Sequence, residues 1–387
     1  MSLLRDRLFS SVAIGHLTVD FLNGNRAVLL AFLSVPLGLS NAEVGLFSTI
    51  YVVSGSLTQP IFGWLADRIG PRWVVSVGIF WMAVFYGSAM LLANETSLIL
   101  LVLASLGSAA FHPAGTMQAT LRGRTHYAGR ETSAAAYFFV FGQLGLFFGP
   151  VVSGPVLEQF NLVGLLPFTV LAIPVGIFAA NQLRKPALAE QAENPGESES
   201  VQAPGFPTLA PTLVFFALLA AFQSWSQQNM ITFVPKYLSD LGQSATTYGL
   251  IAALFMGGSA MGNLFGGRLA DLYGKRRVAS IGLALACIPL YIISLVGWSP
   301  ALFILIPLAG ALTGATHSII VVLAQRIIPG GMALASGLIL GFMFSSGAMG
   351  TLLAGYMADR WGFPLVFQFT AGIALIAAIL AQSLQKR

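Results

Sequence analysis

The sequence predicts an all-α membrane protein in which twelve transmembrane helices form two pseudo-symmetric six-helix bundles. Three observations carry this. Of 387 residues, 56% are hydrophobic and 9% charged, against roughly a quarter charged in a soluble domain. Such a chain cannot cover itself with polar side chains, so its solvent is largely lipid. Twelve apolar stretches are of the length, about 20 residues, that crosses a hydrocarbon core. Finally, a charged turn recurs half a chain apart. Gly63-Trp64-Leu65-Ala66-Asp67-Arg68-Ile69-Gly70-Pro71-Arg72 returns as Gly267-Arg268-Leu269-Ala270-Asp271-Leu272-Tyr273-Gly274-Lys275-Arg276, with Asp67 and Asp271 spaced by 271 − 67 = 204 residues.

In chain order the twelve spans are expected near 10–34, 42–66, 73–93, 98–121, 131–158, 163–183, 210–238, 246–270, 277–297, 300–325, 333–358 and 364–383. The basic-then-apolar start resembles a signal peptide. It runs on past a signal's length without a small-residue cleavage site, and reads instead as the first membrane helix. The segment from Lys185 to Pro207 holds four prolines and four glutamates with almost no large apolar residue, which is linker composition. It divides an N-terminal bundle (1–184) from a C-terminal bundle (208–387). Of the 19 Lys and Arg, all but Arg26, Lys236 and Arg360 fall at one face of this arrangement. That asymmetry makes the face cytoplasmic and places both termini there. The net charge of +5 is too small and too scattered for a nucleic-acid partner. One cysteine, Cys287, permits no internal disulfide, and the spacing of His, Cys and acidic residues marks no metal cluster.

The turns read as gates. Each packs a carboxylate, glycines and cations into the junction of two buried helices. Arg122 has its counterpart in Arg326 at the same 204-residue interval. The expectation is a pair of ion clips, Asp67 with the Arg122 region and Asp271 with the Arg326 region, closed when the cytoplasmic side is closed. The plainer alternative is that these charges only orient and solvate loops.

Two six-helix halves, a linker and the GxLADRxGxR turn together resemble the major facilitator superfamily. The first copy of that family's loop motif stands at Gly63, Asp67, Arg68, Gly70 and Arg72. The second, at Asp271, Gly274, Lys275 and Arg276, has Leu272 where the motif has a base. The resemblance implies alternating access, with the halves rocking about a central site. In the fifth span, Gly145-Leu146-Phe147-Phe148-Gly149-Pro150-Val151-Val152-Ser153-Gly154-Pro155 is similar to the GxxxGPxxGG signature of proton-coupled exporters in the superfamily. Pro155 replaces the final glycine. Gly145 and Gly149 permit close helix contact and Pro150 bends the helix; plain small-residue packing is the alternative. Gly15 to Gly24, Ala110-Phe111-His112-Pro113-Ala114 and Gly355 to Gly362 look like the fosmidomycin-resistance type of exporter.

Ionisable groups inside a bilayer are costly and are functional candidates by default. His16, Asp20 and Asn23 lie at i, i+4 and i+7 on one helix face, with Arg26 one further turn outward. Asp20, about 20 Å along the helix from Arg7, is the leading proton carrier, with His16 and His112 as coupling partners; the alternative is a structural Asp hydrogen-bonded between helices. His112 and His317 sit at near-equivalent depths in the two halves and offer donors to an anionic oxygen. The polar run Gln223-Ser224-Trp225-Ser226-Gln227-Gln228-Asn229 should send several side chains to the cavity. Asn23, Arg26, His112, Tyr137, Gln143, Gln223, Trp225, Gln227 and His317 are therefore the expected substrate contacts. Ser345 and Ser346 are weaker candidates, more apt to bond their own backbone.

No GxxxxGK[ST] phosphate loop is present, which argues against a primary pump, and no nucleophile or metal constellation suggests an enzyme. The expected function is a proton-coupled exporter of a small anionic or amphipathic compound, such as a drug. It needs no cofactor beyond protons as the coupling ion. Its partners are that small molecule and membrane lipid, with no nucleic acid, and the carrier is expected to be a monomer in a bacterial inner membrane. Uptake of an organic anion or sugar by symport or exchange is the alternative, and lipid flipping a third.

Overall fold

The computed structural model describes residues 3–126, 131–184, 210–327 and 332–384. The proposed linker, 185–207, lies outside them. The described residues are helical, with no strand among them. The first span, expected near 10–34, is two helices, α1 (Arg7–Gly24) and α2 (Arg26–Ser34), divided at Asn25. The second span is likewise two helices, α3 (Asn41–Leu57) and α4 (Gln59–Ile69). Pro60 opens α4, where its missing N–H is no loss. Then come α5 (Pro71–Leu92), α6 (Glu95–His126), α7 (Glu131–Phe160), a 3-10 turn at Leu162–Leu165 and α8 (Leu166–Gln182). Beyond the linker lie α9 (Ala210–Asp240), α10 (Ala245–Tyr273), α11 (Lys275–Val296), α12 (Leu302–Gly314), α13 (His317–Ile327) and α14 (Met332–Ala381). The last is two helices running on across Gly362, which is not helical.

Among the described residues, eight helical stretches are long and apolar enough to cross a membrane. Their outer faces stay apolar: Val84, Leu264, Ile304 and Ile379 are all exposed. Contiguous greasy surface of this kind is what lipid covers.

The two charged turns are as sharp as their glycines suggest. Gly70 and Gly274 both have φ +92°, a conformation that costs an L side chain but not glycine. Pro71 follows Gly70 and opens α5 with its preset φ.

Contacts divide the chain into two compact units. One gathers Met1–Leu33, Ile50–Glu197 and Ser244–Gly249; the other gathers Ser34–Thr49, Ser198–Gln243 and Leu250–Arg387. In the first, α1 lies along α7 through glycines. A Cβ on Gly149 would stand 2.5 Å from Phe21 O, and one on Gly145 would collide with Leu17 O. Those two residues of the fifth-span signature are thus where α7 meets the α1 backbone. In the second unit α9, α11, α13 and α14 bury Leu219, Leu283, Ile320, Met343 and Ala377 together.

Candidate functional site

The polar residues of α1 converge in the first unit. His16 and Asp20, one turn apart, are 3% and 6% exposed. His16 stacks on Phe138 of α7 at a centroid distance of 4.1 Å, and its Nδ1 lies 2.8 Å from Phe138 O. Its Nε2 lies 3.1 Å from Asp20 Oδ2. From α6, His112 Nε2 approaches Asp20 Oδ1 to 3.3 Å, while His112 Nδ1 is 2.8 Å from Ser108 O. Gly142 on α7 makes room for this cluster. A Cβ there would sit on His16 Nε2 and 2.8 Å from Asp20 Oδ2.

The tautomers follow from the partners. A carbonyl only accepts, so Nδ1 of His16 carries a hydrogen, whereas His112 Nδ1 faces both the carbonyl of Ser108 and, at 3.2 Å, its hydroxyl, which can donate. Each Nε2 faces a carboxylate oxygen. Acceptor against acceptor is repulsive, so each contact requires a proton. The geometry therefore joins His16, Asp20 and His112 in one hydrogen-bonded cluster. These three ligand-type atoms lie within 4.8 Å of one another, compact enough for one small cation; separations of 3.1 and 3.3 Å are those of hydrogen bonds. The expected coupling partners His16 and His112 are the two rings that meet Asp20, the second across 92 positions of chain.

The network extends toward the end of α1. Asn23 Nδ2 donates to Asp20 Oδ1 (3.0 Å) and to Ser108 Oγ (2.8 Å). Tyr51 Oη donates to Asn23 Oδ1 at 2.7 Å. The Arg26 guanidinium lies over the Tyr51 ring, 5.4 Å from its centroid. Among the described residues Arg26 has no carboxylate within ion-pair distance, and its Nε is buried with no hydrogen-bond partner. Sequence reasoning missed Tyr51, Ser108 and Gly142. A serine and a tyrosine in apolar helices carry no pattern, and the role of Gly142 exists only in the helix contact.

The remaining expected contacts fall elsewhere. Tyr137 and Gln143, also on α7, are exposed. In the second unit the polar run of α9 mostly braces helices. Gln223, wholly buried, donates to Thr313 O at 3.0 Å, and Gln227 donates to Ser259 Oγ at 2.9 Å. Asn229 donates to Thr370 Oγ1 at 3.1 Å, and Trp225 packs edge-on to Phe369. His317 packs beside Phe344 at 6.4 Å between centroids. Ser346 returns its hydroxyl to Met343 O, as expected.

One expected ion pair is replaced. Arg122 Nε and Nη2 both donate to Asp6 Oδ2, at 2.9 and 2.8 Å, while Asp67 is exposed and pairs with no described residue. Asp6 also caps α1 by accepting from Phe9 N, which holds its carboxylate in place for Arg122. Arg68 and Arg72 lie on the rings of Trp64 and Trp73. The side chains of Asp271 and Arg326, the second expected pair, are outside the described set.

An all-helical chain with long apolar helices, lipid-ready faces and a buried polar cluster is an integral membrane protein of the transporter class. It belongs to the Major Facilitator Superfamily, whose family model matches residues 12–242 and 213–386. It is 25% identical over 382 residues to the fosmidomycin resistance protein of Escherichia coli (strain K12), covering 96% of this chain and 91% of that one. A similar match, 25% over 389 residues, covers 95% of this chain and 91% of the uncharacterized MFS-type transporter YfnC of Bacillus subtilis (strain 168). Among solved structures it superposes on a bacterial homolog of the human lysosomal transporter Spinster with a TM-score of 0.80 at 15% identity, covering 98% of this chain and 97% of that one. For the nucleoside transporter NupG the TM-score is 0.75 at 16% identity, covering 97% and 98%. At these identities the likeness is of fold alone. The superfamily's members are transporters rather than enzymes.

Proposed function

We propose that this chain is a proton-coupled exporter of a small anionic or amphipathic compound. It would work by alternating access, as twelve spans in two halves of six, in a bacterial inner membrane with both termini cytoplasmic. One observation carries the reading: the cluster of His16, Asp20 and His112 is wired through Asn23 and Tyr51 to Arg26, a half-buried cation with no carboxylate within ion-pair distance among the described residues. An unpaired cation in low dielectric favours an anion beside it. An anion at Arg26 and protons on the cluster then act on one another through two hydrogen-bonded side chains. If loading one weakens the other, the carrier exchanges substrate for protons. The relative named for fosmidomycin resistance supports the outward direction, as does the glycine–proline signature of α7.

Fosmidomycin, from that relative's name, is the first compound to test. In inside-out vesicles with an acid lumen it should accumulate, because protons leaving the lumen drive it inward. Asp20→Asn should abolish accumulation and leave substrate counterflow intact. Accumulation confined to right-side-out vesicles would assign uptake instead. A requirement for a divalent ion in place of the proton gradient would overturn the proton assignment.

A further inference from the structure

Three side chains able to ligate a metal meet within the first unit. One ligand atom from each of His16, Asp20 and His112 lies within 4.8 Å of the other two. The sequence carries no metal-ligand spacing, because His16 and Asp20 share α1 while His112 arrives on α6. Hydrogen bonds account for the contacts as they stand. The donor set, and the groups that hold it, suit a second kind of occupant.

Two imidazole nitrogens and a carboxylate oxygen are ligands for first-row divalent ions such as Zn²⁺. A metal takes the lone pair of one ring nitrogen, so the other nitrogen carries the hydrogen and needs an acceptor. Both histidines have that acceptor in place. His16 Nδ1 lies 2.8 Å from Phe138 O, and His112 Nδ1 lies 2.8 Å from Ser108 O. Both Nε2 atoms are thereby turned to Asp20, at 3.1 and 3.3 Å. The carboxylate is steadied in turn by Asn23 Nδ2 at 3.0 Å. Phe138 stacks on His16 at 4.1 Å between centroids and fixes its ring plane. Ligands oriented by an outer layer of hydrogen bonds are what a metal site requires beyond the ligands themselves.

The spacing suits such an ion. Donors about 2.0–2.2 Å from a tetrahedral centre stand about 3.4 Å apart, close to the two nitrogen–oxygen separations. Even a pair at the 4.8 Å limit closes to that spacing if each side chain moves by about 0.7 Å. Room exists at the ligand atoms themselves. Gly142 faces His16 Nε2 and Asp20 Oδ2, where a Cβ would intrude to 2.4 and 2.8 Å. His16 and Asp20 are buried and His112 is partly exposed, so the site is reached past His112. Mg²⁺ and Ca²⁺, which take six or more oxygen ligands, are poorly served by two nitrogens.

We propose that His16, Asp20 and His112 form a binding site for one divalent transition-metal ion of the Zn²⁺ type. Both Nε2 atoms and one Asp20 oxygen are its ligands, and water takes the fourth position. The proposal rests on this geometry and not on the transport reading.

The test uses untagged full-length protein carrying Cys287→Ser, which removes the single thiol. It is stripped with EDTA, desalted and titrated with Co²⁺, whose visible absorption bands report its coordination. One Co²⁺ per chain should bind; Zn²⁺ should displace it, and Mg²⁺ should not. Loss of an outer-layer partner weakens metal sites about 10–100-fold, so loss of a ligand in His112→Gln or Asp20→Asn should weaken binding about a hundredfold or more. Gly142→Ala keeps every ligand but fills the space, and should weaken binding about tenfold. His317→Ala, in the second unit, should change nothing. Absence of a one-to-one complex, displacement by Mg²⁺ as readily as by Zn²⁺, or unchanged affinity in any of the three first-unit variants would each overturn the proposal. Should Asp20→Asn not elute as a monodisperse species, His112→Gln decides, its ring being the least buried of the three. The titration uses neither substrate nor gradient, so it can fail while the transport reading stands. Where both hold, Zn²⁺ must stop accumulation in the vesicles, since it takes the atoms assigned to protons. Binding without that inhibition would count against the proton assignment and leave the metal site standing.

Discussion

Gly142→Ala adds one methyl group beside the proton cluster, and its effect can be worked from the coordinates. The new Cβ would coincide with the space of His16 Nε2, 2.5 Å from His16 Cε1 and 2.8 Å from Asp20 Oδ2. Ordinary contact needs about 3.4 Å or more, so something must move by up to about 1 Å. His16 cannot swing freely: it is stacked on Phe138 and tied to Phe138 O. Moving α7 instead would disturb its seat on α1 at Gly145 and Gly149. Overpacking of this kind costs about 1–3 kcal/mol, while Ala in a helix interior recovers about 1 kcal/mol relative to Gly. The net destabilisation should be about 0–2 kcal/mol, so the protein should fold. Coupling should suffer far more, since a shift of 1 Å turns a 3.1 Å hydrogen bond into none. Thermal unfolding followed by tryptophan fluorescence gives the first quantity, and gradient-driven accumulation in inside-out vesicles the second. Gly372→Ala, where an added Cβ meets nothing within 4 Å, should be neutral or stabilising by up to about 1 kcal/mol with coupling unchanged. Wild-type coupling in Gly142→Ala would refute the reasoning, because the contacts proposed to carry protons could not all survive that methyl.

Further expectations follow from the same geometry. Arg26→Gln should weaken binding of an anionic ligand by at least about tenfold, as expected for losing a charge-assisted contact, while proton uptake by the free protein is retained; equilibrium binding with and without the substitution checks this. Tyr51→Phe removes the donor to Asn23 Oδ1 and should cost about 0.5–1.5 kcal/mol of stability, measured by unfolding. Asp6→Asn loses the Arg122 pair but can still cap α1, whereas Asp6→Ala loses both. The alanine variant should therefore be less stable by a further ~1 kcal/mol, and equal stabilities would show that the cap at Phe9 N contributes nothing.

Composition alone determined that this chain lives in lipid and is helical, because backbone groups in hydrocarbon must be satisfied within the helix. Spacing alone exposed the 204-residue repeat and its two sharp turns, since a left-handed glycine and its neighbouring charge are local demands. Asp20 was legible for a similar reason: a lone acid in an apolar helix is too costly to be accidental. That His16 and His112 belong with it was expected; which atoms meet was not legible. Its partnership with His112 crosses 92 residues, and only the docking of α6 and α7 onto α1 brings the second ring within reach. The same docking turned Gly142 from a helix-weakening residue into the space the cluster occupies. Arg122 shows the limit from the other side: its charge and depth pointed to Asp67, yet it holds Asp6, whose carboxylate the start of α1 had already fixed nearby. The polar run of α9 looked like a cavity lining and is largely helix bracing, since a buried amide binds whatever carbonyl or hydroxyl packing presents. Pattern reveals which groups cannot face lipid; which group each one meets is decided by helix packing, because hydrogen bonds reach about 3 Å and sequence carries no distances.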